Sequence, residues 1–317
     1  MMHEYYASKH LQPTFADFDE AGLAEYAELR KTVFHRMKFP PKMIAGKKVL
    51  EFGPDTGENS LVFARWGANL TLVEPNPNAH TYIHQYFSKF GLMLDGVVKS
   101  DVVDFSTTEQ FDIIDAEGFI YTIQPSSLWL KKFGSMLKKD GFLIVTYLEK
   151  NGSLIELLTK AIYQNAMLSK ISFDDGYIPL AEKLFLKKWN TIPHTRSFES
   201  WFMDVIENPY VCQKYMIDPI DLLREAYSNG FRLYSSWPSY GDSTRWIKSP
   251  FGKDSELNDA IGFIEKTSSM DFDVMKVTLD VLDLMGNGGD LIAYCNNDST
   301  FLKTWGNPNH YAIFQKI

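Results

Sequence analysis

The sequence predicts an α/β fold built on a doubly wound, mostly parallel sheet, and three observations carry that prediction. Strand-like apolar runs alternate with helix-like segments from Lys48 to Tyr147. The first run, Val49-Leu50-Glu51-Phe52, breaks into the glycine turn Gly53-Pro54-Asp55-Thr56-Gly57. The following runs also end in carboxylates. Regular strand, helix, strand alternation implies right-handed crossovers and a parallel sheet.

The elements follow in order. Residues 1–46 read as a helical approach, with Leu23, Tyr26, Leu29 and Phe34 spaced as an apolar stripe that ends at Pro40-Pro41. Strands are expected at Lys48 to Phe52, Leu70 to Glu74, Val97 to Ser100, Phe111 to Ala116 and Phe142 to Tyr147, with helices at Asn78 to Phe90 and Ser126 to Leu137. The rhythm stops near Asn151-Gly152. Residues 151–218 read as a mostly helical insertion with an aromatic, irregular middle, and the helix Pro219 to Ser228, stopped by Asn229-Gly230, leads into a sixth strand, Phe231 to Trp237. Residues 238–308 form a second insertion before a last strand, Tyr311 to Gln315. The core is thus expected at 47–150 and 219–317.

Composition narrows the function. A net charge of -8 and a pI near 5.4 argue against general binding of a phosphate backbone, so no nucleic-acid partner is expected. Cys212 and Cys295 make no metal-binding spacing and suit a reducing compartment, although one disulfide between them stays open. Met1-Met2-His3-Glu4-Tyr5-Tyr6 lacks a positive region followed by an apolar run, so no signal peptide is expected. No apolar stretch reaches the length of a membrane span. A cytoplasmic protein, monomer or homodimer, with no membrane partner, is the expectation.

The turn after the first strand lacks GxGxxG, and Asp55 and Thr56 stand where a pyrophosphate wants bare backbone and no negative charge. A ligand with a positive sulfonium and no phosphate tolerates that carboxylate. Glu74, followed by Pro75 and Asn76, ends the second strand about twenty residues on, where a carboxylate accepts hydrogen bonds from both ribose hydroxyls. Ser100-Asp101-Val102 ends the third strand, placing a carboxylate for the exocyclic amine of adenine and an apolar side chain for a ring face. Glu117-Gly118 follows the fourth strand. Asp112 and Asp115 flank that buried strand and are expected to cap or hydrogen-bond backbone.

With these residues in this order, the chain resembles the class I S-adenosylmethionine-dependent methyltransferases, a Rossmann-like family. The matching stretches are Glu51 to Gly57, Glu74, Asp101, Phe111 to Gly118, the turn Asp140-Gly141 into the fifth strand, and Asn229-Gly230-Phe231 before the sixth. The resemblance implies a seven-stranded sheet with a reversed last strand, its final hairpin split by residues 238–308. It implies the cofactor S-adenosyl-L-methionine, with S-adenosyl-L-homocysteine as product, held by Glu51, Gly53, Pro54, Asp55, Gly57, Glu74, Pro75, Asn76, Ser100, Asp101, Val102, Glu117 and Gly118. Asp55 departs from the glycine that many relatives carry there.

Methyl transfer is an in-line displacement in which the protein positions the nucleophile and removes its proton. Tyr121 and His194 are the candidate bases. Arg196 and Trp201 in the first insertion, with Trp237 and Tyr240 after the sixth strand, are candidate substrate contacts, in a lid loosely similar to that of relatives acting on sugars. His80 and His84 lack a carboxylate in register and read as surface residues, so no metal is expected. The leading function is methyl transfer to a small molecule, such as a sugar or another polar metabolite. The alternatives are an RNA or protein methyltransferase, or a non-catalytic protein that binds the cofactor.

Overall fold

The computed structural model describes residues 2–9, 18–150, 177–190, 197–240 and 308–317, together with 152, 153, 156, 157, 159–161, 163 and 164. The chain divides into two units, Met1–Tyr147 with Ile217–Ile264 and His310–Ile317, and Leu148–Met216 with Glu265–Asn309.

The first unit is built on strands β1 (Lys48–Phe52), β2 (Asn69–Val73), β3 (Gly96–Val98), β4 (Phe111–Ala116), β5 (Leu137–Leu148), β6 (Phe231–Trp237) and β7 (Asn309–Lys316). Among the described residues they form one seven-stranded sheet in the order β3-β2-β1-β4-β5-β7-β6. The pairs β1–β2, β1–β4, β2–β3 and β4–β5 are parallel, and β6 and β7 pair antiparallel. The seven-stranded sheet expected from the sequence is therefore present. Chain order reverses between β1 and β4, and a reversal of this kind opens a crevice at the carboxyl ends of the two strands.

In chain order the helices are α1 (Met2–Ser8), α2 (Glu20–Arg36), α3 (Glu58–Arg65), α4 (Pro77–Lys89), α5 (Ser126–Met136), α6 (Tyr177–Trp189), α7 (Phe198–Phe202) and α8 (Pro219–Ser228). Local chemistry sets several of their starts. The Asp19 side chain accepts from Gly22 N at 2.7 Å, Asn76 from Asn78 N at 3.1 Å, and Asp218 from Ile220 N at 2.8 Å; the last two helices also begin on a proline. Gly230, at φ 80, lets the chain leave α8 toward β6.

The stripe on α2 differs from the expected one. Leu23 and Phe34 are fully buried, but Leu29 is 56% exposed and its neighbour Arg30 is buried instead. Arg30 is seven residues after Leu23 and four before Phe34, so it occupies the inward position of a 3.6-residue period. Phe34 packs edge-on against Phe63 and Trp66, with centroids 5.7 and 5.3 Å away, and joins Phe39. These rings belong to one core with Val49, Leu72, Ile83, Ile113, Ile144 and Ile313, which makes α2 part of the packing on that face of the sheet.

Strand β5 starts five residues earlier than expected. Leu137 pairs with Phe111 and Phe142 with Ile113, so a bulge separates the two pairings. Asp140 there has φ 62, and a Cβ on Gly141 would lie 2.9 Å from Lys138 O and 3.0 Å from Asp112 O. Only glycine passes between those two carbonyls.

In the second unit, Tyr163, Phe185, Phe198, Trp201 and Phe202 form an aromatic cluster. Tyr163 meets Phe202 at 5.1 Å between centroids, and Phe198 meets Trp201 at 5.7 Å.

Phe34→Ala removes a fully buried ring at the junction of α2 and the sheet. It is expected to lower unfolding stability by about 3–5 kcal/mol, read as the midpoint of a urea titration. An unchanged midpoint would show that α2 is not part of the cooperative core.

Candidate functional site

The glycine turn after β1 follows an unusual backbone path. Gly53, Asp55 and Gly57 have φ of 65, 49 and 94, in the left-handed region where glycine is unstrained and Asp is tolerated better than most residues. A Cβ on Gly53 would stand 2.6 Å from the Phe119 ring. Gly53 N donates to Val73 O at 2.9 Å, which keeps the turn beside the end of β2.

Glu74, just past β2, ties the two loops together. Its Oε2 accepts from Asp55 N at 3.2 Å and its Oε1 from Asn76 N at 2.7 Å, while His80 Nε2 donates to its carbonyl at 2.8 Å. Each carboxylate oxygen has further acceptor capacity beyond one such bond. Glu74 is only 4% exposed, and burial pushes its carboxyl up to about 8 against the pull of those two backbone donors. In the next loop, Asp101 Oδ1 accepts from Asp104 N at 2.8 Å, Ser100 Oγ donates to Asp101 O at 3.2 Å, and Val102 is buried. The charge of Asp101 also acts on His3 of α1.

A buried group of carboxyls lies at the reversal between β1 and β4. Glu51 and Asp115 are register partners across that pair, and both are buried. Ser60 Oγ donates to Glu51 Oε2 at 2.6 Å, and burial pushes the Glu51 carboxyl up to about 8. Glu117 takes a bidentate grip from Arg30 of α2, with Nη1 to Oε2 at 2.9 Å and Nη2 to Oε1 at 2.6 Å. Asp112 behaves as expected, accepting from Lys48 N at 3.0 Å and Lys138 Nζ at 2.8 Å. Asp115 does not: neither of its oxygens meets a donor among the described residues. Burial first, then the charges of Glu117 and Glu51, hold its carboxyl well above the usual range.

Gly118 has φ 80, and no atom lies within 4 Å of the position a Cβ would take. Its N–H donates to Thr146 Oγ1 at 2.5 Å, so what it presents to a ligand is open space and its carbonyl.

The acceptor-side candidates lie on several elements. Tyr121 lies in the turn Ile120–Thr122, buried, with its carbonyl accepting from Gln124 Nε2 at 2.9 Å. Trp237 ends β6, with the Arg36 guanidinium 5.0 Å from its ring centre. Tyr240 is buried, its hydroxyl 2.6 Å from His310 Nδ1 and hydrogen-bonded to the Tyr147 hydroxyl. Trp201 sits in the aromatic cluster of the second unit, 5% exposed. His194 and Arg196 lie outside the described residues.

Sequence reasoning did not find Arg30, Thr146, Tyr147 or His310. Arg30 alone carried a signal, as a cation at an inward position of the α2 stripe.

A family model described as a methyltransferase domain matches residues 24–236. No curated protein matches the chain. Among solved structures, the chain is similar to PKMT2 from Rickettsia typhi in complex with AdoHcy, at 12% identity and a TM-score of 0.48 over 90% of this chain and 52% of that one. It is also similar to TehB from Haemophilus influenzae, at 17% and 0.33 over 47% of this chain and 46% of that one. A third is the N-methyltransferase NodS from Bradyrhizobium japonicum in complex with S-adenosyl-L-homocysteine, at 19% and 0.36 over 46% and 74%. The chain spans about half the length of the first two. With the strand order above and the domain match over most of its length, the chain belongs to the methyltransferase-domain family, the S-adenosylmethionine-dependent methyltransferases of the class I fold.

Proposed function

We propose that this protein transfers the methyl group of S-adenosyl-L-methionine to a small polar molecule. The carrying observation is the convergence of the left-handed turn 53–57, Glu74, Asp101 and the Glu51, Asp115, Glu117 group on the carboxyl ends of β1, β2, β3 and β4. The residues present fit the cofactor. Glu74 keeps acceptor capacity for two ribose hydroxyls, and Pro75 and Asn76 frame it. Asp101 takes the adenine amine, with Ser100 shaping the loop and Val102 against a ring face. Gly53, Pro54, Asp55 and Gly57 let backbone approach the ligand, while Glu51, Glu117 and Gly118 border its amino-acid end.

The cofactor supplies a methyl carbon made electrophilic by a positive sulfur. The chain contributes position and proton removal. Tyr121 and His194 are the proposed bases, and Arg196, Trp201, Trp237 and Tyr240 the proposed contacts to the acceptor. Residues 151–218 and 238–308 supply the substrate-specific part. The acidic charge of the chain, -8, supports a small acceptor, since a phosphate backbone demands the opposite sign.

Calorimetry with S-adenosyl-L-homocysteine is expected to give saturable binding, and absence of heat with either cofactor form would overturn the reading. Glu74→Ala is expected to weaken that binding by about 1–3 kcal/mol, roughly five- to 150-fold, with the circular dichroism spectrum unchanged. An unaltered dissociation constant would remove Glu74 from the ribose site. Incubation with methyl-labelled cofactor is expected to place label in a small polar metabolite from a panel of sugars and other hydroxyl or amine compounds. Label in RNA or protein instead would favour the macromolecular acceptor.

A further inference from the structure

We infer that the carboxyls Glu51, Asp115 and Glu117, with Arg30, sense the charge on the cofactor's sulfur and make the protein prefer S-adenosyl-L-methionine over its product in a pH-dependent way. This rests on the cofactor reading above and assigns a further role to the same site.

The geometry begins with a charge imbalance. Three carboxyls and one guanidinium are gathered where β1 and β4 diverge, and Arg30, Glu51 and Asp115 are each 6% exposed or less. Arg30 is already committed to Glu117 through two hydrogen bonds. Among the described residues, both buried oxygens of Asp115 meet no donor, and the buried Arg30 Nε likewise meets no acceptor. Glu117 beside Asp115 is itself a carboxylate, and two carboxylates bond only through a shared proton. A buried carboxylate with no donor is costly to ionise, and the Arg30 charge offsets only part of that cost, so Asp115 holds a proton when no further cation is near.

Among the described residues, the groups acting on these carboxyls include no second cation. From α2 come Arg30 and Tyr26, from α3 Glu58, from β1 Glu51, from the turn after β2 Glu74, itself pushed up to about 8, from the end of β4 Glu117 and from β7 Tyr311. Glu58 is held by Thr56 Oγ1 at 2.6 Å. Tyr311 accepts from Arg30 Nη1 at 3.5 Å, and burial raises it, so it stays neutral. Glu51 is pushed up to about 8, which places its proton near neutrality as well.

The two forms of the cofactor share an α-ammonium and an α-carboxylate and differ by one positive charge, on sulfur. When the sulfonium form binds at the β1–β4 crevice, its field favours the carboxylate and a proton leaves the group for solvent. When the methyl has gone and a neutral thioether remains, the carboxylate loses its counter-charge and takes a proton back. The sign follows from linkage: a ligand that releases protons binds more tightly as pH rises, up to the pKa of the free group and no further.

The test is calorimetry of both cofactor forms from pH 6 to pH 8.5, without acceptor, in two buffers of different ionisation enthalpy. With each constant and proton count corrected for the ionisation of the free ligand's own α-ammonium, which titrates in the same range, the ratio of the product's dissociation constant to that of S-adenosyl-L-methionine is expected to rise about tenfold, with more protons released by the protein on binding the sulfonium form. Asp115→Asn is expected to flatten the ratio. A flat ratio and equal proton counts in the wild-type protein overturn the inference, even if the variant fails to fold. A slope that survives in a folded Asp115→Asn protein overturns the role of Asp115. If neither form binds, the cofactor reading itself falls, which separates that failure from the other two.

Discussion

The structure depends on a compensation at the carboxyl ends of β1 and β4, where, among the described residues, several carboxyls face the one guanidinium of Arg30. Arg30 reaches Glu117 from α2, 87 residues earlier, in a two-bonded grip. The net worth of such a buried pair is small, because desolvation offsets most of the attraction, yet removing one partner leaves a buried charge exposed to its neighbours at a cost of about 3–5 kcal/mol. Energy and placement are therefore separate contributions to α2. Leu23 and Phe34 supply the burial that holds the helix against the sheet. Arg30 sets which turn of it lies over the crevice, because the planar fork tolerates little displacement.

The glycine turn obeys a related constraint. Glu74 receives N–H groups from two loops, at Asp55 and Asn76, and so locks the turn after β1 to the turn after β2. Asp55 adopts a left-handed conformation to aim its N–H at that carboxylate. In the sequence Asp55 counts against a phosphate ligand. In the structure its backbone, rather than its side chain, organises the site, and its negative charge adds to the field that raises Glu74. A loop ringed by carboxylates suits hydroxyls and cations and repels anions.

The fold was readable because its rhythm is local. Apolar runs of strand length separated by amphipathic helices show themselves within windows of ten to twenty residues, and β1, β4 and β6 fall on the bounds expected. Periodicity misleads where a polar residue takes an inward position: on α2 that position holds Arg30, while the apolar Leu29 beside it faces solvent. The sequence places the start of β5 too late because Lys138 to Gly141 looks like a polar turn, while Leu137 already pairs with β4 on the far side of a bulge. The site was legible where motifs lie at strand ends, as with Glu74 and Asp101. It was not where partners meet from afar, since Tyr240 is 93 residues from Tyr147 and 70 from His310. Asp115 shows the limit of chemical type as a guide, because it shares a strand with Asp112 and only their environments tell them apart.

Burial of the carboxyl group is also what gives it the power to distinguish two ligands that differ by one charge. At ~8 Å two unit charges interact by about 0.5 kcal/mol in bulk water and about 2 kcal/mol at an effective dielectric constant of 20. Mobile ions would screen even the smaller figure at the surface within about 8–10 Å. An exposed acidic patch at the same distance would thus barely separate the sulfonium form from the thioether. Surrounding the carboxyls with the apolar face of α2 and the sheet raises the discrimination severalfold, and the cost is a proton that the group must hold whenever the cation is absent. Desolvation therefore raises the carboxyls and sharpens their response to charge through one cause, and neither effect occurs without the other.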